Sequence, residues 1–209
     1  MNESQRQSLL EAIAISSGIF GSNITPQQRS NAFTNLEQFK TYPQRVSACV
    51  DMIGCNTLQI AGTGSGNAPI DVTVPGKLYA LGVIQEFLKV GYNSLNESDR
   101  TQLRTSILTA ARQLAMSTTA SDVSSIKMND STRILAVKIG SLLADLALRE
   151  FPQRWQTFVS DLFSLWGADA SGNNTTGVKI CLECLKLITE DCTDSDYNAR
   201  VRRLSGFTV

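Results

Sequence analysis

The stretch DSTRILAVKIGSLLADLALREFPQRWQTFVSDLFSLW, residues 130–166, decides how the rest of the chain reads. Asp130 and Ser131 offer a helix N-cap, and residues 132–151 then run without Gly or Pro except Gly140. Leu135, Ile139, Leu142, Leu143 and Leu146 recur at three-and-four spacing, which puts them on one apolar face. Arg133, Lys138, Asp145 and Arg149 lie on or beside the opposite face. Pro152 ends this helix because it pushes Phe151 out of the α region, and it suits the first turn of a new helix. That second helix, residues 152–166, carries Trp155, Phe158, Val159, Leu162 and Trp166 on an apolar face. Two amphipathic helices joined by a proline corner make a helical hairpin, the repeating unit of an α-solenoid.

The same design recurs upstream. Leu9, Leu10, Ile13 and Ile15 predict an opening helix within residues 3–19. Thr25-Pro26 is a capping residue followed by proline at the first helical position, and the helix it opens runs to about Tyr42. Ala32, Phe33, Leu36 and Phe39 form its apolar face. Pro43 makes another corner, and Val46, Cys49, Val50 and Ile53 mark a short second helix. From Gly76, Leu78, Leu81, Ile84 and Leu88 continue to Tyr92. Asn96 or Ser98 caps a helix over residues 99–116, with Leu103, Ile107, Ala110, Ala111 and Leu114 inward. Residues 178–192 form another apolar helix around Ile180, Cys181, Cys184, Leu185, Leu187 and Ile188, and residues 200–204 begin one more. Residues 117–129 and 167–177 read as loops, and 56–75 as a flexible insertion between repeats. Within that insertion Gly62-Thr-Gly-Ser-Gly66 could present backbone N–H groups to phosphate. It lacks the Gly-Lys-Ser/Thr ending, no strand clearly precedes it, and Pro69 and Pro75 follow, so a linker is the better reading.

Composition excludes several classes of function. A chain of 209 residues can bury a sizeable core, and 42% hydrophobic with 18% charged residues is ordinary globular usage. Lys plus Arg and Asp plus Glu balance at 19 each, so overall charge gives no reason to expect independent nucleic-acid or anionic-membrane binding. The chain has no histidine, which removes the usual general base and the commonest metal ligand. A Ser or Cys nucleophile therefore has no partner of that kind, and no catalytic residue, cofactor or metal site is expected. Paired carboxylates such as Glu190 and Asp191 fit an exposed helix end. Cys181-x-x-Cys184 lacks the second ligand pair of a structural zinc and lies in an apolar stripe, so core packing is expected there. The two tryptophans at helical spacing are expected in the core. The five cysteines are odd in number and sit in helical patterns, which fits a reducing cytosolic or nuclear setting. No leader pattern and no apolar run near ~20 residues is present, so no membrane partner is expected.

Three stretches also carry a resemblance. LREFPQRWQTFVSDL (148–162) resembles the third HEAT hairpin of the exportins in the importin-β superfamily, with its acidic-aromatic-Pro corner, then Trp, Phe and an Asp-Leu pair. RSNAFTNLEQFKTYP (29–43) resembles that superfamily's amino-terminal motif, in which Arg and Ala precede Leu-x-x-Phe and a closing Pro. YALGVIQEFLK (79–89) is similar to an exportin helix of the pattern Tyr/Phe-Gly-Leu-Gln-Ile-Leu-Glu, with Ala80 where that pattern has Gly, and Gly82 displaced. Glu190-Asp191 matches a family helix ending. The resemblance extends over residues 8–204, and the order of motifs is most like exportins that carry small structured RNAs.

Together these readings predict an all-α chain, an α-α superhelix of HEAT-like hairpins forming a right-handed solenoid of roughly four repeats. Each hairpin face, at ~25 cal/mol per Å2 of apolar area, is too costly to leave in water, so neighbours stack. The expected divisions are an importin-β amino-terminal-type repeat (1–56), an insertion (57–75) and exportin-type repeats (76–204). The chain reads as the amino-terminal piece of a longer array. The resemblance implies a transport receptor that binds the GTPase Ran in its GTP form, carries protein or RNA cargo, meets nuclear pore proteins and shuttles between nucleus and cytoplasm. An import receptor of the same superfamily and a HEAT scaffold unrelated to transport are the alternatives. In the family the second helices of the hairpins face Ran. Here that implies contacts from Gln44, Ser47 and Asp51, from Thr105, Thr109 and Arg112, and from Thr157, Asp161 and Ser164, all opposite the apolar stripes.

Overall fold

Side chains that satisfy the first free backbone N–H groups set several helix starts. In the computed structural model, which describes residues 1–21, 24–60, 68–117, 130–167 and 175–193, Asn2 Oδ1 accepts from the Gln5 amide at 2.8 Å and Gln5 Oε1 from the Asn2 amide at 3.1 Å. This capping box opens α1, Glu3–Ser16. Thr25 and Gln28 form a second box ahead of α2, Pro26–Lys40, with Pro26 at the first helical position. Next come α3, Arg45–Gly54, and α4, Thr73–Val90. A 3-10 turn at Tyr92–Ser94 leads to α5, Glu97–Ser117, whose first turn is capped by Asn96 Oδ1 accepting from the Asp99 amide at 2.8 Å. The remaining helices are α6, Asp130–Glu150, α7, Phe158–Trp166, and α8, Thr175–Thr193. The protein is all-α, and its helical pairs fit a HEAT-like fragment. Among the described residues no helix is long and apolar enough to cross a membrane.

The described ends of the stretch expected as a flexible insertion carry a short sheet. Strands β1, Gln59–Ile60, and β2, Ile70–Asp71, pair antiparallel with Ile60 opposite Ile70. Leu58, Ile60 and Val72 are buried, so the apolar residues flanking the loop anchor both of its ends in the core. Helix α4 starts at Thr73, ahead of the expected Gly76, because Asp71 Oδ1 accepts from the Thr73 amide at 2.8 Å. Pro75 falls in the first turn, where its missing N–H leaves no bond unmade. The glycine run 62–66 lies outside the described residues, as does the helix expected over 200–204.

Two compact units divide the chain, Met1–Val90 and Gly91–Val209. In the first, α1 packs against α2, α4 and β1, and α3 packs against α4. The Tyr79 hydroxyl donates to the Leu36 carbonyl at 2.8 Å and ties α4 to α2. In the second, α8 packs on α5, α6 and α7, and α5 packs on α6 and α7. Helix α6 buries Leu135, Ile139, Leu142, Leu143 and Leu146, the whole expected stripe. Gly140 marks the closest approach to α8: a Cβ there would stand 3.0 Å from the Ile180 carbonyl oxygen and 3.0 Å from Glu183 Cβ.

Two expectations at the proline corners change. The closest helix neighbours are α1 with α2, α3 with α4 and α6 with α8, rather than the pairs flanking Pro43 and Pro152. Helix α7 begins at Phe158, not Pro152, because 151–154 form turns whose backbone is held by the Glu150 carbonyl, which accepts from the Arg154 and Trp155 amides at 2.7 and 3.1 Å. Trp155 is buried ahead of the helix, and Phe158, Leu162 and Leu165 form its inner face. Val159 and Trp166, expected inward, are 48% and 45% exposed, and Phe33 is 63% exposed on α2.

Candidate functional site

The nine residues that the resemblance assigns to partner contact fall into two groups. Gln44 precedes α3, and Ser47 and Asp51 follow at helical spacing on its exposed side. With Glu3 and Arg6 of α1 they line a hollow of about 160 Å3 in the first unit. The other six lie in the second unit. Thr105 and Thr109 are exposed one turn apart on α5, and the Thr109 hydroxyl donates back to the Thr105 carbonyl at 2.8 Å. Arg112 continues that face and reaches α7, where Nη2 donates to Ser164 Oγ at 3.1 Å and lies 4.0 Å from an Asp161 carboxylate oxygen. Asp161 Oδ2 accepts from the Thr157 hydroxyl and from Trp155 Nε1, both at 2.8 Å. Ser164 Oγ donates to the Asp161 carbonyl at 2.6 Å. Arg112, Thr157, Asp161 and Ser164 therefore form one bonded patch bridging α5 and α7, with Thr105 and Thr109 alongside.

Asp161, implied as a partner contact, is also bonded within the protein. It stands in the first turn of α7, where the helix macrodipole favours negative charge, and its carboxylate is engaged from within the protein by Trp155 and Thr157. The patch is pre-organised, and its outward chemistry is hydroxyls with one guanidinium.

Behind the patch lies a polar cluster that reading the sequence did not single out. Glu150, the last residue of α6, is 0% exposed. Its carboxylate accepts from the Tyr92 hydroxyl and, at 2.7 Å, from Arg104 Nη1. Arg104 Nη1 also donates to the Arg154 carbonyl at 3.2 Å, and its guanidinium lies over the Trp155 ring, 5.5 Å from the centroid. Arg100 and Arg149 stack on Tyr92 at 5.3 and 5.8 Å. Burial, then the hydrogen bond to Glu150, raises the Tyr92 hydroxyl well above its ordinary range, so Tyr92 is a donor at all working pH values. A buried carboxylate is tolerated only when paired and hydrogen-bonded, and Tyr92 and Arg104 meet that need. One signal in the sequence points this way: an acid at a helix C-terminus opposes the macrodipole and implies a nearby cation.

Among the described residues, Cys49, Cys181 and Cys184 are buried as packing residues. Cys181 and Cys184 are buried on α8, and burial pushes their thiols up to about 11 and about 12. Cys181 Sγ donates to the Leu162 carbonyl at 3.1 Å. Among the described residues no group of three or more His, Cys, Asp and Glu converges.

Residues 132–204, which take in α6 from its third residue and all of α7 and α8, match a family model described as Exportin 1-like protein. No curated protein and no solved structure matches the chain. The match spans 73 of the 209 residues, and over that span the chain is similar to exportin-type proteins.

Proposed function

We propose that the chain is part of a nuclear export receptor that binds Ran in its GTP form and helps carry cargo out of the nucleus. The observation behind this reading is the coincidence of the Exportin 1-like match with the helical corner built on Glu150, Pro152, Trp155 and Asp161. Its work is binding, with no covalent chemistry by this chain. Ran–GTP and cargo bind one superhelical array of hairpins, and the coupling free energy between them is reciprocal: each strengthens the other in the nucleus, and GTP hydrolysis in the cytoplasm releases both. The receptor meets nuclear pore proteins as it shuttles. The motif order favours a relative of exportin-five, with small structured RNA as cargo. The balanced charge of these 209 residues leaves most of the phosphate contacts to other parts of such a receptor.

Ran contacts come from the exposed polar sides of α3, α5 and α7. Arg112 and Asp161 are bonded within the protein, so Asp51 and Thr109 test the surface more cleanly. In Asp51→Lys combined with Thr109→Glu, the affinity for Ran loaded with a non-hydrolysable GTP analogue falls by about tenfold or more while the melting temperature is unchanged. Unchanged affinity in that variant would remove the surface assignment.

A further inference from the structure

The buried cluster and the surface patch share one residue. Trp155 is 2% exposed, with one face of its indole under the Arg104 guanidinium at 5.5 Å and its N–H donating to Asp161 Oδ2 at 2.8 Å. Phe158 meets the ring edge-on at 4.9 Å, so the indole has little freedom to tilt. Arg104 is fixed in turn by the Glu150 carboxylate at 2.7 Å and the Arg154 carbonyl at 3.2 Å, and Glu150 is fixed by the Tyr92 hydroxyl. The sequence of contacts is Tyr92, Glu150, Arg104, Trp155, Asp161, Arg112, Ser164, running from a buried phenol and carboxylate to an exposed hydroxyl.

We propose that Trp155 is a relay through which the buried Glu150–Arg104 pair positions Asp161, making Glu150 and Arg104 positioning residues for a surface that neither is assigned to. Two physical effects act along this path. A cation over an indole face draws electron density from the ring and makes the N–H a stronger donor, so Arg104 tightens the bond from Trp155 to Asp161. The carboxylate held there presents its other oxygen, Oδ1, towards Arg112 at 4.0 Å, and Arg112 keeps its hold on Ser164 at 3.1 Å. Without the indole donor, the Asp161 carboxylate keeps only Thr157 and the longer approach of Arg112 and can change rotamer, which leaves Arg112 held to α7 by Ser164 alone.

The relay stands on contacts within the free protein; its consequence for binding rests on the function proposed above. The test is hydrogen exchange and chemical shift of the Trp155 indole N–H in 15N-labelled whole chain, with Trp166→Phe assigning the signal. Arg104→Gln accelerates indole exchange by about tenfold or more and moves its resonance, while α8 backbone amides stay protected. Asp161→Asn does the same, and the double variant adds little to either, as two residues acting along one path require. Arg104→Lys, which keeps a cation, restores part of the protection. If Arg104→Gln does not fold, Arg104→Gln with Glu150→Gln leaves no orphaned charge and carries the same measurement. An indole signal unchanged in a folded variant, or additive effects of the two substitutions, overturns the relay. A shifted indole with Ran–GTP affinity unchanged supports the relay and counts against the Ran surface.

Discussion

Glu150 occupies a position that a carboxylate would ordinarily avoid, buried at the negative end of α6, and its two bonds explain why it stays. Glu150→Ala strands Arg104 and the Tyr92 hydroxyl together. Removing one member of a buried pair costs about 3 to 5 kcal/mol, and Arg104, itself 16% exposed, places the loss near the lower figure. Urea unfolding followed by circular dichroism measures it; a loss under about 1 kcal/mol would mean that water replaces the carboxylate readily. The thiols give a second prediction at this scale. Burial pushes Cys49 up to about 12, Cys181 to about 11 and Cys184 to about 12. An unfolded thiol titrates near ~8.5, so above that pH the native chain holds protons that the unfolded chain has lost. Stability is therefore fully present below about pH 8 and falls as pH rises through 9 towards 11. Tyr79 and Tyr92, raised by burial, act in the same sense, while Lys77 and Arg149, lowered by burial, oppose it. Thermal melts across pH 8 to about 10.5 read the slope, and a flat or rising melting temperature contradicts it.

Helix packing makes its own prediction through two glycines. Gly140→Ala puts a methyl carbon 3.0 Å from the Ile180 carbonyl oxygen, a backbone atom that can yield only by moving α8, and overpacking of this kind costs about 1 to 3 kcal/mol. Gly82 sits inside α4 with nothing within 4 Å of an added Cβ, so Gly82→Ala stabilises by about 0.5 to 1 kcal/mol. Denaturant midpoints of the two variants should move in opposite directions; a midpoint that does not fall in Gly140→Ala contradicts the packing described for α6 on α8. Long amphipathic helices were legible from sequence, as the stripe from Leu135 to Leu146 shows, because ten or more residues let one face separate from the other. Helix α7 was not. Six of its nine residues are apolar, Phe158, Val159, Leu162, Phe163, Leu165 and Trp166, so periodicity alone could not say that Val159 and Trp166 face outward. Leu58, Ile60 and Val72 were missed for a related reason: isolated apolar residues beside a glycine run show no period, and only tertiary packing reveals them as anchors. The candidate patch was half legible. Its hydroxyls and charges could be placed opposite the apolar stripes, but the bond from Trp155 to Asp161 joins a buried side chain to that face and no spacing rule reports it.

At the scale of the molecule, the proposed function asks an all-α chain with an Exportin 1-like segment and balanced charge to work by binding through its polar faces. Such a chain discriminates between partner states by differential contacts alone, since a ligand shifts an equilibrium only by the difference in its affinities. That makes nucleotide dependence the direct test. Whole chain is titrated with Ran loaded with a non-hydrolysable GTP analogue and, separately, with Ran–GDP, at one salt concentration. Binding to the GTP form is expected to be at least about a hundredfold tighter than to the GDP form, near the upper end of ordinary allosteric coupling. Equal affinity for the two forms, or no binding to either, contradicts it.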